Sequence, residues 1–558
     1  MLGFLYHRFC ILASVFVLTV WSLQAQDLAA IGQQSPFSLH GGFDARLSIY
    51  QTSQQLSYYA PFGYALSANL TASIYGISMP FSLIYSDNNR QFSQPFNRIG
   101  VSPTYKWIKV HLGYRNVHFG KFSLAGHTFL GAGVELTPGL FRFGFIKGRF
   151  NKAIRNVQGL ENFIGPQYDR QGMAMKIGVG SEDHYLDLSL MSAKDDATRN
   201  KLDTAAVTPA ENAVIELQTH HRFYDFITFD VEIAASGYNE NSNSEQIQDE
   251  FWGRNIADRI FRVRNNTDLR FAGEASLGVA WKTAGVSLGY KYIEPDFRSM
   301  GAYTFYNDIE DITFNPYCSV YRGKIRLNGS VGVQKNNLNR VRLQQSRRFI
   351  GNINSSLIIN EKLTTSLAYS NFRSDILTLQ EEFLSDSFDI YQVSEQYRIN
   401  TQFKLRNQPI SQNIGFSIFH QSYVSESEIV RIGVQKNRQS GLSIQYNQRN
   451  PQNKLGWNAG LNYSLTNNEL LNSSRVSFRG GAQKSFSDVW IVRGFATVGY
   501  TNRSDDFHFW YSSVQCQSTY KLKHRQQLNI VIAYINRQQA NRTSTSDVRL
   551  NFGYGISF

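Results

Sequence analysis

Basic side chains recur at every second position of short segments along this chain of 558 residues. In the segment Ile108–Arg115, the residues Lys109, His111 and Arg115 alternate with apolar residues. Side chains of a β-strand point alternately to the two faces of a sheet, so this segment has one polar, basic face and one apolar face. Basic groups that line a water-filled passage lower the energy of anions inside it. The pattern therefore indicates electrostatic attraction for anions.

The same alternation predicts a basic lining of a barrel lumen from many strands. Its predicted members are Lys109, Arg115, Arg270, Lys291, Arg326, Arg398, Lys404, Arg475, Arg479 and Arg549. Arg46, Lys176 and Arg406 fall on the same faces, which also carry Asp44, Asp187, Glu216 and Glu274. Two interpretations remain open: the basic groups attract anionic solutes, or they pair with these carboxylates and with lipid phosphates at the rims.

The other groups of residues that could form a metal or catalytic site give only weak evidence for one. His220 and His221 with Asp225 suggest a metal site, but adjacent strand residues point to opposite faces and cannot easily share one ion. His111 has no Ser or Asp partner at a telling spacing, and the acidic run Asp308–Asp311 lacks the ligand rhythm of a calcium loop. The chain has no phosphate-binding loop, zinc ligand set or nucleophile elbow. We therefore predict no enzymatic activity, no cofactor and no metal.

Elements that could position the basic residues repeat along the whole chain. Clear two-faced segments are Phe43–Ile49, Ile108–Arg115, Met173–Val179, Leu269–Trp281, Ile325–Gln334 and Leu455–Ser464. Their length fits a membrane-spanning strand of about 9–11 residues. Only every second residue of such a strand must be apolar, which is consistent with a mean hydropathy of −0.33. About 12 tight turns alternate with about 13 longer polar connections, and this predicts an all-β, antiparallel, up-and-down transmembrane barrel of about 26 strands, within a range of about 22 to 28.

The N-terminus resembles a secretory signal, because His7 and Arg8 precede an apolar run from Phe9 to Val20. We expect cleavage after Ala25, no lipid anchor, and one barrel domain over residues 26–558. Patterned strands begin near Leu39, so no N-terminal plug domain is expected. A barrel this wide needs a filling, and the connection Tyr238–Asn266 or a partner protein could supply it.

The last strand carries a further signal. Phe552, Tyr554, Ile556 and Phe558 take alternate positions, and the sequence closes on an aromatic residue. This resembles the terminal strand of bacterial outer-membrane barrels, whose closing aromatic residue is recognised by the barrel-insertion machinery. The stretch Gly126–Gly139 is similar to hairpins of uncharacterised outer-membrane barrel proteins of Bacteroidota, and Asp203-Thr204-Ala205 resembles their O-glycan acceptor motif. The resemblance implies a location in the outer membrane and contact with its lipid and lipopolysaccharide, but no activity.

The net charge of the chain limits the classes of partner that can be expected. The net charge of +13 would suggest nucleic acid as the partner of a soluble protein, but a basic lumen accounts for it here, and no nucleic-acid partner is expected. The leading hypothesis is a transport channel that favours anionic solutes, with both termini in the periplasm. The alternative is a structural barrel in a complex that exports or anchors surface proteins. Cys318 and Cys516 fall on strands far apart in the chain, so no disulfide is expected.

Overall fold

The computed structural model describes residues 36–54, 60–87, 98–154, 167–198, 207–247, 260–302, 307–340, 344–378, 390–427, 435–468, 471–504, 508–523, 525–539 and 544–558. All named elements in these ranges are β-strands. Within the same ranges, no helix is long and apolar enough to cross a membrane. The predicted signal peptide, residues 1–25, and the Asp203-Thr204-Ala205 motif lie outside the described residues.

The strands follow one another along the chain with the alternating pattern expected from the sequence. They are β1 Phe37–Thr52, β2 Phe62–Ile74, β3 Ile77–Ser86, β4 Arg98–Val101, β5 Thr104–Tyr105, β6 Ile108–His118, β7 Ala125–Leu136, β8 Phe141–Asn151, β9 Asp169–Gly180, β10 His184–Asp196, β11 Glu211–Phe223, β12 Ile227–Asn239, β13 Thr267–Ala280, β14 Ala284–Ile293, β15 Ile309–Val320, β16 Ile325–Lys335, β17 Gln344–Ile358, β18 Leu363–Thr378, β19 Ile390–Arg406, β20 Ser411–Ser427, β21 Gln435–Asn450, β22 Leu455–Asn468, β23 Asn472–Ser485, β24 Trp490–Arg503, β25 His508–Lys521, β26 Gln526–Gln539 and β27 Thr545–Ser557.

Antiparallel pairing of successive strands closes the sheet into a barrel. The last strand, β27, pairs with β1 from Gly42 opposite Ser557 to Thr52 opposite Asp547. Both β4 and β5 lie between β3 and β6, so the 27 strands occupy 26 positions around the barrel. The predicted architecture and strand number are confirmed. Cys318 on β15 and Cys516 on β25 are unpaired, as expected.

The two ends of the barrel differ in their connections. Twelve connections of two to four residues lie at the end that carries Phe37 and Ser557, which we call the turn rim. The opposite end, the loop rim, has connections of three to 27 residues. Tyr75 and Gly76 form a two-residue turn with φ values of 46° and 84°, which suits the twist of a β-hairpin. The alternation of short and long connections thus agrees with the sequence prediction.

Outside the buried cluster described below, most apolar strand residues face outward and most polar ones face the lumen. Leu188, Ile215 and Ile418 on the outer face expose 47%, 48% and 52% of their surface. A continuous band of exposed apolar side chains around the barrel would be unfavourable in water, but it matches a lipid environment. The barrel therefore has the outer surface that a transmembrane barrel requires.

Buried apolar side chains concentrate inside one part of the barrel. The cluster in the described residues consists of Val117, Phe119, Phe122, Leu124, Phe129, Ile146, Phe150, Ala174, Met191, Ala193, Ala210, Val214, Ala234, Ala272, Ile293, Phe297, Met300 and Ile309. We call the inner wall of β6–β15, with the connections after β6 and β14, the packed sector. The inner wall of β16–β27 and β1–β3 is the open sector, where the described residues form no such cluster.

Candidate functional site

The connection after β6 folds into the lumen of the packed sector. Glu216, on the inner face of β11, accepts hydrogen bonds from the backbone N–H groups of Phe122 at 3.2 Å and Ser123 at 2.7 Å. A Cβ atom on Gly120 would lie 2.2 Å from the Glu216 carboxylate. The missing side chain of Gly120 therefore allows the connection to approach the wall closely.

Two more glutamates hold the same connection. Lys121 forms an ion pair with Glu274 on β13, and its backbone N–H donates to Glu232 on β12 at 3.3 Å. Gln218 donates to the other oxygen of Glu232 at 2.9 Å. Three neighbouring strands thus direct carboxylates at one short connection, which supplies the donors that buried carboxylates need.

Aromatic packing completes this docking. The Phe119 ring lies over Gly144 of β8, where an added Cβ would come within 2.6 Å of the ring. Phe122 packs edge-on against Phe297 from the connection after β14, with ring centroids 5.9 Å apart. Burial of these rings removes a large apolar area from the lumen water. The inserted connection is therefore held by both polar and apolar contacts.

The connection after β14 is joined to the first one inside the lumen. Asn212 of β11 accepts a hydrogen bond from Met300 N–H at 2.9 Å, and Ser236 of β12 donates to the Arg298 carbonyl at 2.6 Å. Ser299 donates from its hydroxyl to the Ser123 carbonyl at 3.1 Å. These bonds make one assembly of two connections and the wall behind them, which narrows the lumen on this side.

The predicted filling segment, Tyr238–Asn266, behaves differently in its described part. Ser192 donates to the Ile260 carbonyl at 2.5 Å, and a Cβ on Gly237 would lie 2.9 Å from the Phe261 ring. Ser192 and Gly237 each follow an inward-facing residue on their strand, so they belong to the outer face of the barrel. Ile260 and Phe261, which contact them, therefore lie against the outer face. Tyr238, at the end of β12, packs against the buried cluster and lies 4.9 Å from Arg298. The connections that enter the lumen in the described residues are those after β6 and β14.

Charges on the packed wall are paired. Arg142 binds Asp187 through two bonds, Nε to Oδ1 at 2.8 Å and Nη2 to Oδ2 at 2.9 Å, and Lys176 Nζ lies 3.8 Å from Oδ2. The Asp187 side chain is 1% exposed. The Arg142–Asp187 pair is neutral by itself and adds little net field for a passing solute.

The expectation that His111 lacks a serine partner is wrong. The hydroxyl of Ser102 lies 2.9 Å from His111 Nδ1, and Glu135 Oε1 lies 2.8 Å from His111 Nε2. Ser102 and His111 are 5% and 2% exposed, and Lys109 Nζ also binds Glu135 at 3.0 Å. Strand pairing is interrupted between β4 and β5, where Ser102 lies. This interruption places the Ser102 hydroxyl beside His111. Because Ser102 is buried and offers no access to a substrate, we assign these hydrogen bonds to the packing of the barrel wall.

The ten predicted lining residues all occupy inward-facing positions by strand alternation, but they divide between the sectors. In the packed sector Lys109 pairs with Glu135, Arg270 pairs with Asp268 at 2.9 Å, and Lys291 lies opposite Glu274 and Asp311 in the strand register. Arg115 donates to Ser82 Oγ at 3.1 Å and to the Pro80 carbonyl at 2.6 Å. All four are only partly exposed.

The open sector presents its basic groups to the lumen. Its predicted members are Arg326, Arg398, Lys404, Arg475, Arg479 and Arg549, and all six are exposed. Among the described residues, none of Arg326, Arg398, Lys404, Arg475 and Arg479 forms a salt bridge with a carboxylate. Within the described ranges, the carboxylates on the inner side of this wall are Asp44, Asp547 and Asp87, which follows β3 and lines the same cavity as Arg46. Asp547 pairs with Arg537 at 2.6 Å. The open wall therefore carries an excess of positive charge.

Aromatic rings hold three of these guanidinium groups in place. Arg479 lies over the Phe495 ring at 4.9 Å, and Arg549 lies 5.7 Å from the Tyr50 ring. Arg475 is 5.9 Å from both the Phe509 and Tyr511 rings and donates to Thr501 Oγ1 at 3.0 Å. A stacked guanidinium keeps its in-plane N–H donors available for carboxylate or phosphate oxygens. Arg46 and Arg549 also line a cavity of about 840 Å³ beside the β1–β27 seam.

The predicted insertion signal lies at that seam. Phe552, Tyr554 and Ile556 face outward on β27, between β26 and β1. Phe558 follows the strand, and its N–H donates to the Gly41 carbonyl at 2.9 Å. Their recognition by insertion machinery stays a prediction.

Comparison with known proteins finds similarity in solved structures alone. No protein-family model matches the chain, and no curated protein sequence is similar to it. The translocation pore of the P pilus usher PapC is 9% identical with a TM-score of 0.38, covering 93% of this chain and 99% of the pore. Pseudomonas aeruginosa OpdK with vanillate is 11% identical with a TM-score of 0.30, covering 63% of this chain and 93% of OpdK. Acinetobacter baumannii OccAB4 is 9% identical with a TM-score of 0.30, covering 70% of this chain and 99% of OccAB4. The likeness concerns the barrel fold, and no function follows from it.

Proposed function

We propose that this protein is an outer-membrane channel in which solutes pass along the open sector and anionic solutes are favoured. The observation that carries the proposal is the division of charge between the two inner walls. Lys109, Arg115 and Arg270 of the packed sector are bonded to carboxylates or a backbone carbonyl. Arg326, Arg398, Lys404, Arg475 and Arg479 of the open sector are exposed and form no salt bridge with a carboxylate of the described residues. Unpaired charges beside a low-dielectric wall produce the stronger field in the lumen.

The two sectors have complementary roles in this proposal. The inserted connections of the packed sector narrow the lumen and direct solutes to the opposite wall. There, Arg475 and Arg479 are fixed by aromatic contacts, so they lose little conformational freedom when an anion binds. Weak binding at several such groups permits both entry and release, which conduction requires.

We also propose the orientation and the surroundings of the barrel. The turn rim and both termini face the periplasm, because barrels of this kind have short periplasmic turns and longer outer loops. Outer-membrane lipid contacts the apolar outer face and lipopolysaccharide contacts the loop rim. Phe552, Tyr554, Ile556 and Phe558 serve as the signal for the insertion machinery. Residues 1–25 serve as the secretory signal.

Reversal potentials in planar bilayers under a salt gradient test the channel proposal. We expect the purified barrel to conduct with a preference for chloride over potassium. The combined variant R326E/R398E/K404E is expected to abolish or invert this preference while conductance persists. The matched variant K282E/K362E/K523E makes the same change of charge in exposed turns, and we expect it to retain most of the preference.

Three outcomes contradict the proposal. Cation preference of the unmodified barrel, or unchanged selectivity of R326E/R398E/K404E, would show that the open wall does not select anions. A folded barrel that does not conduct would exclude an open channel. That last result would instead favour a scaffold for export or anchoring of surface proteins, whose partner should then copurify in mild detergent.

A further inference from the structure

We propose that His184 and His221 form a binding site for a divalent transition-metal ion, such as Zn²⁺ or Cu²⁺, on the outer face of the turn rim. The two residues stand directly opposite each other in the β10–β11 register. Their Nδ1 atoms lie 3.4 Å apart. The sequence argues against a shared site for His220 and His221, and the partner of His221 is instead supplied by the neighbouring strand.

The separation of the two nitrogens suits chelation of one ion. Imidazole nitrogens bind Zn²⁺ at about 2.0–2.1 Å, and two such ligands in a tetrahedral arrangement lie about 3.4 Å apart. The observed distance is long for a strong hydrogen bond between the same atoms. An ion placed between the two rings therefore needs little movement of either side chain.

A hydrogen bond behind His221 sets the tautomer that a ligand needs. Thr219 donates its single hydroxyl proton to the Tyr185 carbonyl at 2.9 Å. The Thr219 oxygen can then only accept from His221 Nε2, which lies 2.9 Å away. His221 consequently carries its proton on Nε2, and the Nδ1 lone pair faces His184. Bonds of this kind commonly orient the histidines of metal sites.

Ring packing fixes the orientation of both imidazoles. The Phe223 ring lies 5.7 Å from the His184 ring and 5.9 Å from the His221 ring. Asp183 is nearby but is paired with Arg222 at 2.9 Å. The described residues contain no group of three or more His, Cys, Asp or Glu that could hold a metal ion. The site therefore has two protein ligands, and water completes the coordination.

His220 provides an internal comparison. Its side chain projects from the opposite face of β11, toward the lumen, and its Nδ1 lies 2.5 Å from Asp230 Oδ1. It has the same residue type and nearly the same position along β11, but its nitrogen is already bonded to a carboxylate. A ligand site at His184 and His221 should thus be insensitive to its replacement.

Metal titration of the full-length barrel in detergent, purified without a polyhistidine tag, tests the proposal. Calorimetry with Zn²⁺ should give one equivalent of binding. Electron paramagnetic resonance with Cu²⁺ should show hyperfine coupling to two imidazole nitrogens. H184Q and H221Q should each abolish the calorimetric signal, and H220Q should leave it unchanged. T219V should weaken binding about 10-fold or more, because it removes the bond that fixes the His221 tautomer.

Three results would overturn the site. They are an absence of Zn²⁺ binding to the native barrel, coupling of Cu²⁺ to one nitrogen only, and binding that survives both H184Q and H221Q. The spectrum of the native protein needs no variant, so the nitrogen count decides the question even if a substitution impairs folding. Retarded gel mobility before heating verifies that each variant is folded.

Discussion

The packed sector and the open sector both direct arginine and lysine side chains into the lumen, yet the surroundings of these groups differ. Arg142 in the packed sector is bonded to Asp187, which is buried. Arg479 in the open sector is exposed and lies on the Phe495 ring, and it forms no salt bridge with a carboxylate of the described residues. Charge that is neutralised by a neighbour stabilises structure, whereas charge left unneutralised acts on solutes. The comparison separates a structural half of the barrel from a selective half.

Loss of Asp187 should have the largest effect on stability. D187A leaves the charges of Arg142 and Lys176 without their partner inside the wall. Breaking a fully buried pair costs about 3–5 kcal/mol, and lumen water beside Arg142, whose side chain is 23% exposed, reduces this cost. We expect a marked drop in the temperature at which the folded band is lost on electrophoresis.

The control for this experiment lies in the open sector. Asp44 also faces the lumen, but it forms no salt bridge with a described residue, so D44A should leave the unfolding temperature nearly unchanged. Equal destabilisation by D44A and D187A would contradict the division into two sectors.

A side chain at Gly120 should displace the inserted connection. In G120V the new side chain meets the Glu216 carboxylate, because a Cβ there would lie 2.2 Å from it. Overpacking of this kind costs about 1–3 kcal/mol, and undocking of residues 119–124 relieves it. We expect a higher single-channel conductance with unchanged sign of selectivity.

Gly494 offers the matched substitution. A Cβ there would meet nothing within 4 Å, so G494V should conduct like the native barrel. A conductance of G120V equal to that of the native protein would show that the connection after β6 does not narrow the pathway.

Much of this arrangement was predictable from alternation alone, because the face of a strand residue depends only on its position. The outward Leu188 and the inward Arg326 needed no tertiary information. Partners are another matter, since Glu216 meets Ser123 from a distant part of the chain. The six residues after β6 have no periodicity that predicts docking. Pro103 signals the interruption of the strand beside Ser102, but nothing in the sequence predicts that the Ser102 hydroxyl meets His111. Faces were therefore predictable, and pairings across the lumen were not.

Removal of Arg479 should affect selectivity far more than stability. The contact between its guanidinium and the Phe495 ring contributes about 0.5–1 kcal/mol at an exposed site. R479A should therefore unfold near the native temperature, but its reversal potential should move toward that of a nonselective pore. R479K keeps the charge without planar stacking, and we expect it to retain most of the selectivity. Loss of stability comparable to that of D187A would place Arg479 among the structural charges.

The smallest effect is expected at an ion pair outside the membrane-spanning strands. Lys454 Nζ and Asp488 Oδ1, in two neighbouring turns of the open sector, lie 2.5 Å apart, and the Asp488 side chain is 91% exposed. The hydrogen bond and charge of Lys454 lower the pKa of Asp488 from its usual 3.8. A carboxyl whose pKa is lowered by folding adds stability above its unfolded pKa and loses it as the pH falls through the folded value. Any contribution of this pair is thus present at neutral pH and disappears only in strong acid.

Solvent screening at such an exposed pair leaves little of that contribution. D488N should therefore unfold at the native temperature at neutral pH, and the two proteins should remain indistinguishable as the pH is lowered below 3.8. The measurement is the same heat-dependent gel mobility, run in parallel with D187A at each pH. A clear destabilisation by D488N that vanishes in acid would show that an exposed pair in the turns stabilises the barrel. Position in the barrel, and not burial, would then decide which charged groups stabilise the folded protein.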